Sequence, residues 1–318
     1  MNEGFPQGQE SGPMPAEGQA SFLKRMHPVA FAILALGIVF LLYQVVAGLI
    51  TLLLFRGTPS AESVNPFRVV TILGQLLFIL CPTLFLARAR ARNLREYFRV
   101  RVPDLRQVVV VLIAVFALQQ ILQAYMVLQD AVPLPPRVQE VIDQVKEIIE
   151  QAYRLLVTAH DPGEFLFVVF AVALVPALSE EFLFRGLVQR SFEVSAGGVR
   201  GAVIAGIVFG AYHLNPFSIV PLIALGVFFG YIVYRSQNIT MAVAAHFFNN
   251  FIACLAVYLS VDDDFVLLAP KGNATALEVA ANTAVFAAVF VAATVSFVLL
   301  TRGRQSAPTG PGKDPFGE

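Results

Sequence analysis

The chain has 318 residues, of which 57% are hydrophobic and only 14% charged. A soluble domain carries about 25% charged residues, so the composition excludes a soluble globular protein and indicates an integral membrane protein with little mass outside the bilayer. Formal net charge is zero, so information lies in where the charges stand; the two cysteines, Cys81 and Cys254, sit in apolar runs and offer neither a disulfide framework nor a thiol metal site.

Residues 1–22 are rich in Gly, Pro, Gln and Glu, lack periodicity, and are expected to be a disordered tail. Lys24, Arg25 and His27 precede the first apolar run, Pro28 to Phe55, which is too long for a signal-peptide core and is expected to span. Gly57-Thr58-Pro59-Ser60 makes a turn, and a second span follows from about Phe67 to Ala87. Then comes a basic block of Arg88, Arg90, Arg92, Arg95, Arg99, Arg101 and Arg106. Arginine excess beside spans marks the cytoplasmic side, and a nucleic-acid patch is a poor reading of a loop between two spans. Residues 23–106 thus hold two spans and a basic loop.

Residues 107–260 form the core. The third span, about Gln107 to Leu128, carries Gln119, Gln120 and Gln123 toward its end, which suggests contact with protein or water. Pro133, Pro135 and Pro136 break the chain. Residues 138–157 have apolar residues at i, i+3, i+4, i+7 and charges opposite, the pattern of an amphipathic helix on the bilayer surface or capping the bundle. The fourth span starts after Asp161-Pro162-Gly163 and contains Pro176, which favours a kink. A loop is expected at Ser195 to Gly198, followed by spans at about Val199 to His213, Phe217 to Tyr234 and Thr240 to Leu259. Gly206-xxx-Gly210 and Gly226-xxx-Gly230 read as helix-packing positions. Residues 261–301 supply an acidic loop with Asp262, Asp263 and Asp264, and a last span, Leu277 to Leu300. Residues 302–318 read as a disordered tail. The expected fold is an all-α, polytopic bundle of about eight transmembrane helices with one amphipathic surface helix, both termini cytoplasmic.

The ionisable and amide residues inside spans four to seven are Glu180, Glu181, Arg185, His213, His246, Asn249 and Asn250. Such groups are expensive in a membrane and usually line a protein interior or a wet cavity. His27 and His160, at an interface and in a loop, have no assigned role. Glu181 and Arg185, four apart, share a helix face and can pair structurally. Glu180 points about 100° away and is the freer carboxylate, hence the candidate base. His246 and Asn250 share a face and can donate to a developing oxyanion, with Asn249 as the competing amide. Phe209, four before His213, gives an apolar wall.

Glu180-Glu181-xxx-Arg185, Phe209-xxx-His213 and His246-xxx-Asn250, in this order on successive helices, resemble the three motifs of the CAAX protease and bacteriocin-processing family, intramembrane endopeptidases related to the eukaryotic type 2 CAAX prenyl protease. The resemblance covers roughly residues 107–260. It implies that Glu180, assisted by His213, activates a water against a peptide carbonyl, that His246 and Asn250 stabilise the oxyanion, and that Glu181 and Arg185 hold the fourth helix. The substrate would be a peptide or protein in or at the membrane, and the partners that substrate and the lipid bilayer, with no nucleic acid. The Arg-rich loops point to a bacterial plasma membrane. No serine or cysteine nucleophile is needed, and Ser179 has no histidine near it in sequence. The metal-free glutamate mechanism is preferred. Zinc held by Glu180, His213 and His246 is the alternative, since Glu plus two His is an acceptable set, although the His-Glu-x-x-His pattern is absent. A non-catalytic scaffold or immunity-type protein of the same fold, and a proton-coupled transporter, are the competing functions. The first has no need of Glu180, and the second predicts internal repeats that the sequence lacks.

Overall fold

A computed structural model describes residues 22–56, 60, 62–260 and 276–302. The two tails, most of the turn at Gly57-Thr58-Pro59-Ser60 and the Asp262 loop lie outside the described residues. Among those described the protein is all-α. We number its main helices α1 (Pro28–Phe55), α2 (Val64–Arg90), α3 (Leu105–Asp130), α4 (Pro136–Val157), α5 (Pro162–Ala196), α6 (Gly198–Tyr212), α7 (Ile219–Ser236), α8 (Ile239–Tyr258) and α9 (Ala276–Leu300).

Among the described residues seven helices are long and apolar enough to cross a bilayer: α1, α2, α3, α5, α7, α8 and α9. The expected fifth span, α6, is apolar but has only 15 residues, about 22 Å at 1.5 Å per residue, short of a bilayer core about 30 Å thick. Its neighbour α5 is long, with 35 residues, and reaches Ala196, inside the loop expected at Ser195 to Gly198. The break there is Gly197 alone, in the left-handed region at φ 89°, where glycine is the residue that adopts it freely.

Short residues set how α6 and α7 meet. A Cβ on Gly206 would stand 2.4 Å from the Val227 backbone nitrogen, and one on Gly226 would stand 2.7 Å from the Gly206 carbonyl oxygen. The two backbones are therefore in contact, as the glycine spacing predicted. On the bundle's other side α3 lies along α9 and α8, with Val111, Val115, Phe228, Phe229 and Phe297 in one buried cluster. A second cluster joins Phe31, Ala35 and Val39 of α1 to Leu183, Phe184 and Leu187 of α5 and to Phe209 of α6.

Amphipathic α4 stays at the end of the bundle. Its apolar Val138, Val141, Val145 and Ile148 are exposed, a face that membrane lipid would cover. Its C-terminus is fastened by Arg68 of α2, which is fully buried. That guanidinium donates to the carbonyls of Leu155 (3.2 Å), Leu156 (2.9 Å) and Thr158, and pairs with Glu164 of α5 at 2.7 Å. A cation at the carbonyl end of a helix is favoured by the helix dipole.

Candidate active site

The site is built on α5 and depends on how that helix is wound. Two π-helical turns, Val169–Leu174 and Phe182–Val188, flank the α-helical segment Val175–Glu181. Such wider turns re-aim side chains and recur at functional sites. Pro176 has no N–H to give to the Val172 carbonyl four residues earlier. The Asn250 side-chain amide of α8 donates to that same oxygen at 3.1 Å, so an interhelical bond takes the place of the missing helical one. Asn249 donates in turn to Asn250 Oδ1 at 3.1 Å.

The two glutamates serve different neighbours. Glu181 is fully buried, and its Oε1 accepts from Arg185 Nη1 and from His246 Nδ1, each at 2.8 Å. Arg185 Nη2 donates to the Gly226 carbonyl of α7 at 2.9 Å. The Arg185 guanidinium lies 4.5 Å from the centre of the Phe209 ring, a desolvated cation–π contact. Phe229 stacks on His246 with ring centres 5.6 Å apart. One buried carboxylate, one guanidinium and one imidazole thus tie α5 to α7 and α8. The Glu181–Arg185 pair is as expected. The bond from His246 to the same carboxylate oxygen is one that helix spacing did not predict.

Glu180 lies on a cavity of about 230 Å³ lined by Tyr43, Gln44, Gln75, Ile79, Leu183, Phe184, Tyr212 and His213. Its Oε2 is 3.6 Å from His213 Nε2, and the two side chains are 15% and 30% exposed. Unlike Glu181, both can therefore reach a molecule in the cavity. His213 Nδ1 is 2.7 Å from the Phe209 carbonyl oxygen. A carbonyl only accepts, so Nδ1 carries a proton and Nε2 is the ring nitrogen turned to Glu180. Between Nε2 and the carboxylate oxygen there is a place for a shared proton or a water.

Counting along the helices explains how these residues meet. Glu180 stands 16 residues before Ala196, and His213 stands 15 residues after Gly198. With only Gly197 between the two helices, these are antiparallel paths of about 24 and 22 Å to the same level. At α6's exit His213 caps the helix and Leu214 takes φ 52°, which ends the helix at that depth.

His213 and His246 both contact Phe209, whose ring centre is 4.6 Å from the first and 6.0 Å from the second. Among the described residues no group of three or more His, Cys, Asp or Glu is placed to hold a metal, so the zinc alternative with Glu180, His213 and His246 is not supported.

Sequence reasoning missed the contribution of α1 and α2, which lie ahead of residue 107. Gln75 Nε2 donates to Glu180 Oε1 at 3.5 Å and to the Tyr43 hydroxyl at 3.3 Å. The usable signal was polarity, since Tyr43, Gln44 and Gln75 interrupt otherwise apolar spans. Arg68 was missed for a different reason: it falls at the edge of its span, where arginine commonly serves as an interface residue.

Residues 162–252 match the family model described as Type II CAAX prenyl endopeptidase Rce1-like. This segment contains every residue of the three motifs, from Glu180 to Asn250, and is a domain of the CAAX protease and bacteriocin-processing family. No curated protein and no solved structure gave a significant match. With seven helices able to span, the protein is an integral membrane protein.

Proposed function

We propose that this CAAX-protease domain is catalytic, and that the chain hydrolyses a peptide bond in a membrane-associated peptide or protein with water activated by Glu180 and His213. The observation that supports this is the facing pair, Glu180 Oε2 and His213 Nε2 at 3.6 Å, on one cavity. A water held there donates one hydrogen to each group. Its oxygen attacks the peptide carbonyl carbon while a proton passes to the Glu180–His213 pair. Collapse of the tetrahedral intermediate breaks the C–N bond, and that proton goes to the leaving amine, giving one carboxylic acid and one amine.

The oxyanion falls to His246 and Asn250 of α8. Asn250 Nδ2 has a second N–H beyond the one on Val172. His246 donates Nδ1–H to Glu181, so donation to an oxyanion through Nε2 requires that both ring nitrogens carry protons. Neither role involves a metal ion.

The test is a comparison of membranes from cells expressing wild type, Glu180→Ala or His213→Ala, with new protein termini quantified by mass spectrometry. Termini that appear with wild type should fall about 100-fold or more in both variants, the scale of a lost acid–base group. Termini that persist unchanged in both would sink the proposal.

A further inference from the structure

The cavity carries more chemistry than the motif residues. Gln75 is almost fully buried in an apolar span. Its Nε2 reaches both Glu180 Oε1 (3.5 Å) and the Tyr43 hydroxyl (3.3 Å), while its own Oε1 is buried with no hydrogen-bond partner. An amide with an orphaned oxygen is a poor choice for packing, and leucine would fill the position at lower cost. Only its nitrogen can donate to a carboxylate; the oxygen would be repelled. Both helices are π-wound here, α1 over Leu41–Ala47, which includes Tyr43, and α2 from Leu76 immediately after Gln75.

We infer that Gln75 is a positioning residue for Glu180, with Tyr43 as the anchor of its amide. It engages Oε1 and leaves Oε2 to His213 and the attacking water. This rests on the reading of Glu180 as the base. Gln75 and Tyr43 both lie outside residues 162–252, the segment that matches the family model. The catalytic unit of this chain is therefore completed by its first two spans, and Gln75 acts through Glu180 rather than on the substrate.

The test uses the full chain in proteoliposomes and a fluorogenic peptide built on a bond whose cleavage in membranes requires Glu180. Gln75→Leu should lower kcat about tenfold, the worth of one hydrogen bond to a charged group, with KM changed by less than kcat, as for an interaction made through Glu180 in the transition state. Tyr43→Phe should have a smaller effect, and the double variant should be no worse than Gln75→Leu alone. The second readout is independent of turnover. The infrared carboxylate band assigned to Glu180 by subtraction of Glu180→Gln should shift in Gln75→Leu. Wild-type kcat in Gln75→Leu, or an unmoved Glu180 band, overturns this inference alone. Full cleavage by Glu180→Gln overturns the reading beneath it, and the band shift still reports whether Gln75 engages the carboxylate.

Discussion

At the scale of single residues, the two glutamates differ in environment more than in position. The bond from Arg185 to Glu181 is local, four residues along one helix, and spacing alone predicts it. His246 on the same Oε1 is separated by 65 residues and follows only from how α5 and α8 pack. That second bond makes Arg185 and His246 joint carriers of one buried charge. Arg185→Met should leave the Glu181 carboxylate insufficiently neutralised and lower stability by about 3–5 kcal/mol, the usual cost of breaking a buried pair from one side. Adding Glu181→Gln should recover much of the loss, because the uncompensated charge goes with it. Thermal melts followed by circular dichroism in detergent check both statements. An equal loss in the single and the double variant would show that packing, including the contact with Phe209, sets the cost rather than charge.

At the scale of elements, hydropathy and periodicity located the helices well, because a membrane admits little else for the backbone to do. The amphipathic helix expected at 138–157 is α4 within two residues, and the glycine spacing of α6 and α7 is the observed contact. Depth was not legible. The level at which Glu180 and His213 meet follows from the single-residue break at Gly197 and from the π-turns of α5, and neither leaves a compositional mark. The fastening of α4 was also hidden, since nothing in the local pattern joins Arg68 to carbonyls nearly ninety positions away. Arg68→Leu should strand Glu164 and leave three carbonyls near the end of α4 without their donor. Each broken bond to a charge is worth about 1.5–3 kcal/mol. Limited proteolysis of the reconstituted protein should then cut within residues 136–161 well before wild type does, while a cleavage pattern identical to wild type would mean that lipid rather than Arg68 holds the helix.

At the scale of the whole molecule, the arginine block bears on both assembly and topology. Arg90 donates to the Lys24 and Met26 carbonyls and lies 4.4 Å from the Phe31 ring centre. Arg99 pairs with Glu193 at 2.9 Å and donates to Gln237 at 3.2 Å. From α5, Arg190 donates to the Tyr97 carbonyl at 2.8 Å. These arginines bind the ends of α1, α2, α5 and α7 together. Burial beside them pushes the Tyr97 hydroxyl up to about 12, so it stays neutral in this joint. The exposed Arg92, Arg101 and Arg106 remain to interact with the membrane surface, and charge asymmetry predicts that they face the cytoplasm, with α4 on the opposite side. Single cysteines test this in a Cys81→Ser/Cys254→Ser background. An impermeant maleimide added to intact cells should label Glu147→Cys on the exposed face of α4 and spare Arg92→Cys, which should react only after permeabilisation. The reverse pattern would place the arginine joint outside, and would mean that these arginines are present for assembly alone.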